Sequence, residues 1–171
     1  MKQIADAMKY FWLTRFGQIT KQNTMGTKDK GYRGAVTGGK QLDRFIDLIE
    51  NILIDNGVPK KCIFKTSNLE IPGYFRPNKK WDLLVVDHNE LVVAIEFKSQ
   101  VGPSFGNNFN NRTEEAMGTA LDIWTAYREG VFGPQKAPWI GYFMVLEDCR
   151  RSNEPVHVKS THFPVLNEFV N

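Results

Sequence analysis

The sequence predicts a mixed α/β fold in which a central mixed sheet is flanked by helices. Segments with the apolar spacing of helices alternate with short apolar runs typical of strands, in the order helix, strand, hairpin, helix, strand. A helix between two strands implies a parallel crossover, whereas a hairpin is antiparallel, so one sheet must contain both kinds of pairing. The length of 171 residues suits one domain, and we expect residues 1–171 to form a single domain.

Three helices are predicted from apolar residues spaced three or four apart. The first spans Gln3–Phe16 and the second spans Gln41–Asn56. The third spans Thr113–Glu129, with Asn111 as its N-cap and Glu114 in the position that completes a capping box. The side chains expected to face inward from the third helix are Ala116, Met117, Ala120, Leu121, Trp124 and Tyr127.

Strands are predicted where apolar residues form short runs between turn signals. The first candidate lies within Lys61–Glu70, and Trp81–Val86 and Leu91–Phe97 form a hairpin across Asp-His-Asn-Glu. Trp139–Leu146 is a further strand, and a short one is expected near Val156–Lys159. Together with the second and third helices, the strands up to residue 146 make up the expected core.

Charge is distributed unevenly along the chain. The net charge is +3, but residues 1–40 carry eight basic and two acidic side chains, so this segment contributes +6 and the remainder −3. The segment is predicted to be a basic helix followed by a glycine-rich loop. Such a segment often faces an anionic partner, most commonly nucleic acid, although an ordinary solvated segment is an equally good interpretation.

Several other classes of protein are not favoured. No apolar run approaches the ~18–20 residues that cross a bilayer. Cys62 and Cys149 form no C-x-x-C pair, so we expect a cytoplasmic protein in which both cysteines are free thiols. The three histidines show no zinc-ligand spacing. Gly34–Lys40 matches G-x-x-x-x-G-K, but Gln41 stands where a P-loop needs Ser or Thr, so nucleotide hydrolysis is not expected.

The predicted hairpin carries an unusual set of charged residues. Glu96 and Lys98 share one face of an otherwise apolar strand, because strand side chains alternate. Asp82 begins the partner strand, so it is brought near Glu96. Two neighbouring carboxylates repel, and a hard divalent cation such as Mg²⁺ resolves that repulsion. Lys98 would position or help deprotonate an attacking water, or stabilise charge on a phosphate.

This hypothesis depends on the register of the hairpin. A two-residue turn at His88-Asn89 would place Asp82 opposite Ile95, on the wrong face. A metal site therefore requires a loop of odd length or a bulge near Asp82. The alternative interpretation is a surface ion pair between Glu96 and Lys98, with Asp82 merely starting a strand.

These residues resemble the PD-(D/E)xK nuclease motif, with Trp81 in the position of its proline. The stretches around them resemble the XhoI-type family of Type II restriction endonucleases more specifically. The resemblance is carried by Trp81-Asp-Leu-Leu-Val-Val, Ala94-Ile-Glu-Phe-Lys-Ser-Gln-Val and Phe105-Gly-Asn-Asn-Phe-Asn-Asn-Arg-Thr-Glu-Glu-Ala116. It extends from the first helix to about Val165 and implies a restriction-endonuclease-like core.

That resemblance implies Mg²⁺-dependent cleavage of double-stranded DNA at a palindromic hexamer, CTCGAG, by a homodimer. It assigns Asp82, Glu96 and the carbonyl of Phe97 to the metal and gives Lys98 a catalytic role. A companion DNA methyltransferase is also implied. Family members continue past the end of this chain, so residues 147–171 are expected to be an incomplete C-terminal portion.

Further residues are candidates for supporting roles. Glu50, on the second helix, would support the metal as in related folds, although a solvated helix face is the stronger interpretation. Asn and Arg side chains can pair with bases or phosphates, and the segment after the catalytic strand is rich in both, although a structural turn is an equal alternative. The predicted DNA contacts are Lys30, Arg33, Lys40, Asn107, Asn108, Asn110, Asn111 and Arg112, with Arg112 favoured for phosphate.

Three functions follow from these observations. The first is a sequence-specific, Mg²⁺-dependent endonuclease. The second is a shortened, catalytically weak chain that binds duplex DNA without cutting it. The third is a nuclease of the same fold that acts in repair or recombination.

Overall fold

The computed structural model describes residues 2–24, 39–102 and 105–155, except for the side chains of residues 18–24 and 107. Within these residues the chain forms the mixed α/β fold that the sequence predicts. Short 3₁₀ turns at Lys40–Leu42, Lys60–Cys62 and Arg150–Ser152 accompany the regular elements. Those elements are α1 (Lys2–Thr24), α2 (Asp43–Asp55), β1 (Ile63–Phe64), β2 (Glu70–Ile71), β3 (Lys79–Lys80), β4 (Leu83–Asp87), β5 (Glu90–Gln100), α3 (Phe105–Arg128) and β6 (Trp139–Leu146).

The main sheet has four strands in the order β1-β4-β5-β6. The β1–β4 and β4–β5 pairs are antiparallel, whereas β5 and β6 are parallel. Helix α3 connects these two parallel strands, as the predicted crossover requires. Strands β2 and β3 form a separate two-stranded arm immediately before β4.

Each face of the sheet is covered by a helical layer. Helices α1 and α2 cover one face, where Phe11 and Phe45 pack with Leu83 and Phe97. On the other face, Ile123 of α3 packs with a second group of buried residues, namely Leu69, Trp81, Leu84, Leu91 and Ala94. Leu83 and Leu84 are both fully buried, one on each face, because successive strand side chains point in opposite directions.

Helix α3 is longer than the sequence predicts. It begins at Phe105, eight residues before the predicted start at Thr113, so Asn111 is not its N-cap. The amide of Gln100 donates a 2.6 Å hydrogen bond to the carbonyl of Phe105 and ties the first turn to β5. Tertiary contact therefore overrides the preference of asparagine for turns and caps.

The predicted inward face of α3 is wrong in part. Met117 and Leu121 are 68% and 56% exposed, whereas Asp122, Ile123 and Ala126 are buried. The apolar spacing that indicated the helix is therefore a poor guide to which side meets the sheet.

Other boundaries also differ from the expectations. Helix α1 continues to Thr24, past the predicted end at Phe16, and the predicted Lys61–Glu70 strand is reduced to Ile63–Phe64. Trp139–Leu146 is a strand with the predicted bounds. The strand expected near Val156–Lys159 lies outside the described residues. No helix in the described part of the chain is long and apolar enough to span a bilayer.

Candidate active site

A bulge in the β4–β5 hairpin sets the register of the candidate site. The turn has two residues, His88 and Asn89, both with positive φ. Val86 pairs with Leu91 but Val85 pairs with Val93, so one extra residue, Val92, lies on β5. Such an insertion moves every later residue of the strand to the other face.

The shifted register brings Asp82 beside Glu96. Leu83 pairs with Ile95, so Asp82, one position farther from the turn, lies opposite Glu96. The Asp82 backbone N–H donates to the Ile95 carbonyl at 3.3 Å, and its Oδ2 accepts a 2.7 Å hydrogen bond from the Phe97 N–H. A bulge of the kind that a metal site requires is therefore present, but it lies between Val85 and Val86, closer to the turn than to Asp82.

Glu96 is 7% exposed and is held by two lysines. Its Oε1 accepts from Lys98 Nζ, and its Oε2 accepts from Lys79 Nζ at 2.7 Å. Lys79 also lies over the ring of Trp81, 4.9 Å from the centroid, which adds a cation–π contact. Lys79 sits at the end of the β2–β3 arm, so this arm adds a second cation to the site.

Burial raises the pKa of Asp82 above its ordinary value. The hydrogen bond from the Phe97 N–H opposes that rise, the negative charge of Glu96 adds to it, and Lys98 and Lys79 oppose it. A divalent cation bound beside Asp82 and Glu96 would favour their charged forms, because an opposite charge nearby stabilises a carboxylate.

A cavity of ≈ 200 Å³ opens beside Asp82. Gln41, in the 3₁₀ turn before α2, is 1% exposed and its Oε1 has no hydrogen-bond partner within the described residues. A buried amide oxygen without a partner is costly, which makes Gln41 available to a group that enters the cavity. The residues that line the cavity are Gly39, Gln41, Leu42, Ile46, Asp82, Phe97, Lys98, Ser99 and Arg112.

These donors fit a hard divalent cation. Asp82 lines the cavity with a carboxylate, Gln41 with the unpartnered amide oxygen, and Phe97 lines it as well. The carboxylate of Glu96 lies beside Asp82, with its two oxygens in contact with Lys79 and Lys98. Oxygen ligands of this kind suit Mg²⁺, which typically takes one or two carboxylates and completes its shell with water and substrate phosphate. In residues 2–24, 39–102 and 105–155, no three His, Cys, Asp or Glu side chains converge closely enough to hold a metal. The ion would therefore depend on two carboxylates.

Glu50 is not part of this cluster. It is 8% exposed on α2, so the interpretation of a solvated helix face is wrong. Its Oε2 accepts a 2.5 Å hydrogen bond from Lys65, which also contacts Asp47 at 2.6 Å. These three residues form an ion-pair network between α2 and the segment after β1.

Arg112 lines the cavity from α3. Its Nη1 pairs with Glu115 at 2.6 Å, but its Nε is buried and has no hydrogen-bond partner among the described residues. The hydroxyl of Tyr142, whose strand position pairs with Glu96, is likewise buried and interacts with Arg112. Burial and the charge of Glu115 raise the pKa of Tyr142 to about 12, with Arg112 in opposition.

The remaining candidates for DNA contact are more scattered. Lys40 is exposed beside the cavity, and Asn108, Asn110 and Asn111 are exposed on the first turns of α3. They lie on a helix and not in a turn, so the structural interpretation of these asparagines as turn residues is wrong. Lys30 and Arg33 lie outside the described residues, as does the Asn107 side chain.

Sequence reasoning missed Lys79 and Gln41. Lys79 has no recognisable spacing from the motif, and only the β2–β3 pairing directs it to Glu96. In the sequence, Gln41 is distinguished only by its position where a P-loop needs Ser or Thr. Its position in a 3₁₀ turn ahead of α2 brings it to the cavity.

Comparison with known proteins identifies the family. The model of the family described as "Restriction endonuclease XhoI" matches residues 21–171 of this chain. The chain belongs to the XhoI restriction endonuclease family. Its mixed α/β architecture is consistent with a restriction-endonuclease-like fold, and no solved structure matches the chain.

Three curated relatives support this assignment. The Type II restriction enzyme BstVI of Geobacillus stearothermophilus is 53% identical over 149 residues, covering 84% of this chain and 66% of its own length. The Type II restriction enzyme XhoI of Xanthomonas vasicola is 48% identical over 161 residues, covering 93% and 64%. The Type II restriction enzyme AbrI of Azospirillum brasilense is 48% identical over 163 residues, covering 95% and 73%. The chain thus spans about two thirds of the length of these relatives.

Proposed function

We propose that this chain is the catalytic portion of a Type II restriction endonuclease that hydrolyses double-stranded DNA at a specific palindromic site with Mg²⁺ as cofactor. The expected site is CTCGAG, as the resemblance of the sequence implies. The observation that carries the proposal is the bulged register, which brings Asp82 beside Glu96. A plain two-residue hairpin would have separated these two carboxylates.

Asp82, Glu96 and the Phe97 carbonyl are the residues that we assign to Mg²⁺. The bound ion would supply Lewis-acid stabilisation of the phosphate that is cut. Asp82 is held for this task by the Phe97 N–H, which orients its Oδ2 and leaves the other oxygen available. Glu96 is oriented by Lys79 on one oxygen and by Lys98 on the other.

Lys98 is the proposed catalytic lysine. It contacts Glu96 and lines the cavity, so its ammonium can reach a group held beside Asp82. In that position it orients the attacking water or stabilises charge on the phosphate as the bond breaks. Arg112 faces the same cavity with a buried, unpartnered Nε, which supports its assignment as the main phosphate contact.

The other DNA contacts are proposals of the same kind. Lys40 is exposed at the rim of the cavity and suits a phosphate, whereas the exposed asparagines of α3 suit base edges or backbone. A palindromic site has two-fold symmetry, so we expect the enzyme to act as a homodimer in the cytoplasm, alongside a DNA methyltransferase that protects the host.

Plasmid cleavage tests the proposal. A plasmid with a single CTCGAG site is incubated with the full chain and Mg²⁺, and the ends are sequenced. One linear product that ends at this hexamer is the expected result. Binding without cutting would indicate the non-cleaving chain, and unspecific nicking or end resection would indicate a repair nuclease.

Substitution of the proposed catalytic residues tests their roles. Asp82→Ala, Glu96→Ala and Lys98→Ala should each abolish cutting while circular dichroism shows a folded protein. Trp139→Ala, an exposed residue at the start of β6, is the matched control and should cut normally. A Lys98→Ala variant that cuts like the unmodified chain would contradict the assignment.

A further inference from the structure

The β2–β3 arm leads directly into the candidate active site. Glu70 pairs with Lys80 and Ile71 with Lys79, and residues 72–78 connect the two strands as an exposed tip. Trp81 and Asp82 follow the arm without an intervening loop, and Lys79 contacts Glu96 at 2.7 Å. The base of the arm is therefore part of the site.

The tip carries two adjacent exposed aromatic side chains. Tyr74 and Phe75 are 49% and 66% exposed, and their rings meet edge to face with centroids 5.0 Å apart. Single exposed apolar residues are ordinary, whereas an exposed aromatic pair held together at the tip of this arm indicates a contact surface.

A buried carboxylate holds this tip in one conformation. Asp122 of α3 is 3% exposed and its Oδ1 accepts hydrogen bonds from the backbone N–H groups of Tyr74, at 2.9 Å, and Phe75, at 2.8 Å. Its Oδ2 pairs with Arg76 Nε at 2.8 Å. A Cβ on Gly73 would lie 2.4 Å from the same Oδ2, so only glycine allows this approach. The aromatic pair is consequently preorganised, which reduces the entropy lost on binding.

The position and charge of the arm together indicate the partner. Residues 70–81 contain three cations, Arg76, Lys79 and Lys80, and one acid, Glu70. Arg76 is paired with Asp122 and Lys79 with Glu96, so Lys80, exposed opposite Glu70, is the cation of this range that can meet a phosphate beside the candidate site. A surface that combines cations with exposed aromatic rings suits nucleic acid, because cations meet the phosphates and rings meet sugars and bases.

Chain length places the tip within reach of a duplex at the site. Phe75 lies seven positions before Asp82, so an extended chain limits the distance between them to about 25 Å. One turn of B-DNA spans roughly 34 Å, so a duplex held at Asp82 passes within reach of the tip.

We propose that the β2–β3 arm is a DNA-contacting element in which Tyr74 and Phe75 pack into a groove of the duplex beside the phosphate that is cut. This inference rests on the proposed function and names a second surface for the same substrate. The arm would fix the position of the duplex through aromatic contact, while Lys80 meets its backbone.

Binding to a fluorescein-labelled duplex that contains CTCGAG tests the arm. Fluorescence anisotropy is measured with the full chain and with Ca²⁺ in place of Mg²⁺, and a gel verifies that the duplex stays intact. The Tyr74→Ala/Phe75→Ala variant should bind about tenfold more weakly, because it loses both aromatic contacts with the groove. Trp139→Ala removes another exposed aromatic residue, and its affinity should stay within about twofold of the unmodified chain.

A photo-crosslink provides a second measurement that does not depend on affinity. A benzoylphenylalanine at position 75 should crosslink to the duplex, and one at position 139 should not. Equal binding by the double variant without a crosslink at position 75 would overturn the role of the arm and leave the proposed function intact. Failure of the unmodified chain to bind any duplex would overturn both.

A measurement of self-association tests whether the tip contacts a second copy of the chain and not DNA. If the double variant changed the sedimentation coefficient of the free protein and position 75 crosslinked only to a second copy of the chain, the tip would be a protein contact. That result would overturn the inference.

Discussion

Two buried glutamates in this chain face lysines, but they form opposite arrangements. At Glu50, one lysine, Lys65, is shared by two carboxylates, those of Glu50 and Asp47. At Glu96, one carboxylate is shared by two lysines, Lys98 and Lys79. The exposed fractions of the two glutamates are nearly equal, at 8% and 7%, so burial alone does not distinguish them.

The surroundings of the two glutamates differ instead. Lys65 is engaged by both of its carboxylates, and that network links two structural elements. Around Glu96, a second carboxylate, Asp82, stands next to a cavity that also contains Arg112 and the unpartnered Gln41 oxygen. A buried charge with its partners satisfied serves structure, whereas converging charges beside a cavity indicate a binding site.

Exchange of each glutamate for glutamine gives the largest expected contrast. Glu96→Gln removes a charge assigned to the metal, and cleavage should fall on the order of 10³-fold, the equivalent of several kcal/mol of transition-state stabilisation. Glu50→Gln should leave the cleavage rate within a few-fold, while urea unfolding shows a loss of stability. Plasmid cleavage and urea denaturation of both variants measure the contrast, and a reversed pattern would refute this division of roles.

Removal of Lys65 should affect stability without affecting the candidate site. Lys65→Met leaves Glu50 buried without its cation, which should cost about 1–3 kcal/mol after allowance for the partial exposure of the pair. Lys79→Met serves as the matched change at the other glutamate, and it should lower cleavage more than stability. Unfolding in urea and plasmid cleavage separate the two effects. A Lys65→Met protein as stable as the unmodified chain would contradict the structural role.

The same network predicts how stability changes at alkaline pH. Burial lowers the pKa of Lys65, but the hydrogen bonds to Asp47 and Glu50 together with the negative charges of these two carboxylates outweigh it, and the net pKa lies above the ordinary value of 10.5. A raised folded-state pKa contributes stability that is complete below 10.5 and is lost as pH rises through the folded value. Urea midpoints should therefore fall in this alkaline range more steeply for the unmodified chain than for Lys65→Met. Parallel curves for the two proteins would refute the linkage.

Two buried glutamines allow the same comparison to be made for the affinity of the candidate site for a metal. Gln41 and Gln100 each have a buried Oε1 without a partner in the described residues, but only Gln41 lines the cavity beside Asp82. Gln41→Leu should weaken Mn²⁺ or Mg²⁺ binding about tenfold, whereas Gln100→Leu should not. Titration calorimetry without DNA measures this, and equal affinities for the two variants would remove Gln41 from the site.

The smallest expected effect concerns Tyr142. Burial and Glu115 raise its pKa to about 12, so its phenolate should appear later in a near-ultraviolet titration than those of exposed tyrosines. The last step of the titration should be absent in Tyr142→Phe. A titration without a delayed step would show that the hydroxyl is accessible.

Much of this architecture was predictable from residues alone. The hairpin, the strand at Trp139–Leu146 and the crossover helix follow from local apolar patterns, since these depend on which residues can be buried in a strand or helix. The face of α3 was not predictable, because Met117 and Leu121 have the spacing of a buried stripe and yet are exposed. Which side of a helix is buried depends on how the helix packs against the sheet, and that packing is a tertiary property.

The sequence by itself determined the type of fold, the resemblance to a nuclease family and the identity of Asp82, Glu96 and Lys98 as candidates. Only the tertiary structure decided whether the two carboxylates meet, because a single residue, Val92, changes the register of the hairpin and with it the face of every later side chain. The tertiary structure also separated Glu50 from the site and added Lys79 and Gln41. These residues are distant along the chain and carry no shared pattern, so their proximity arises from packing alone.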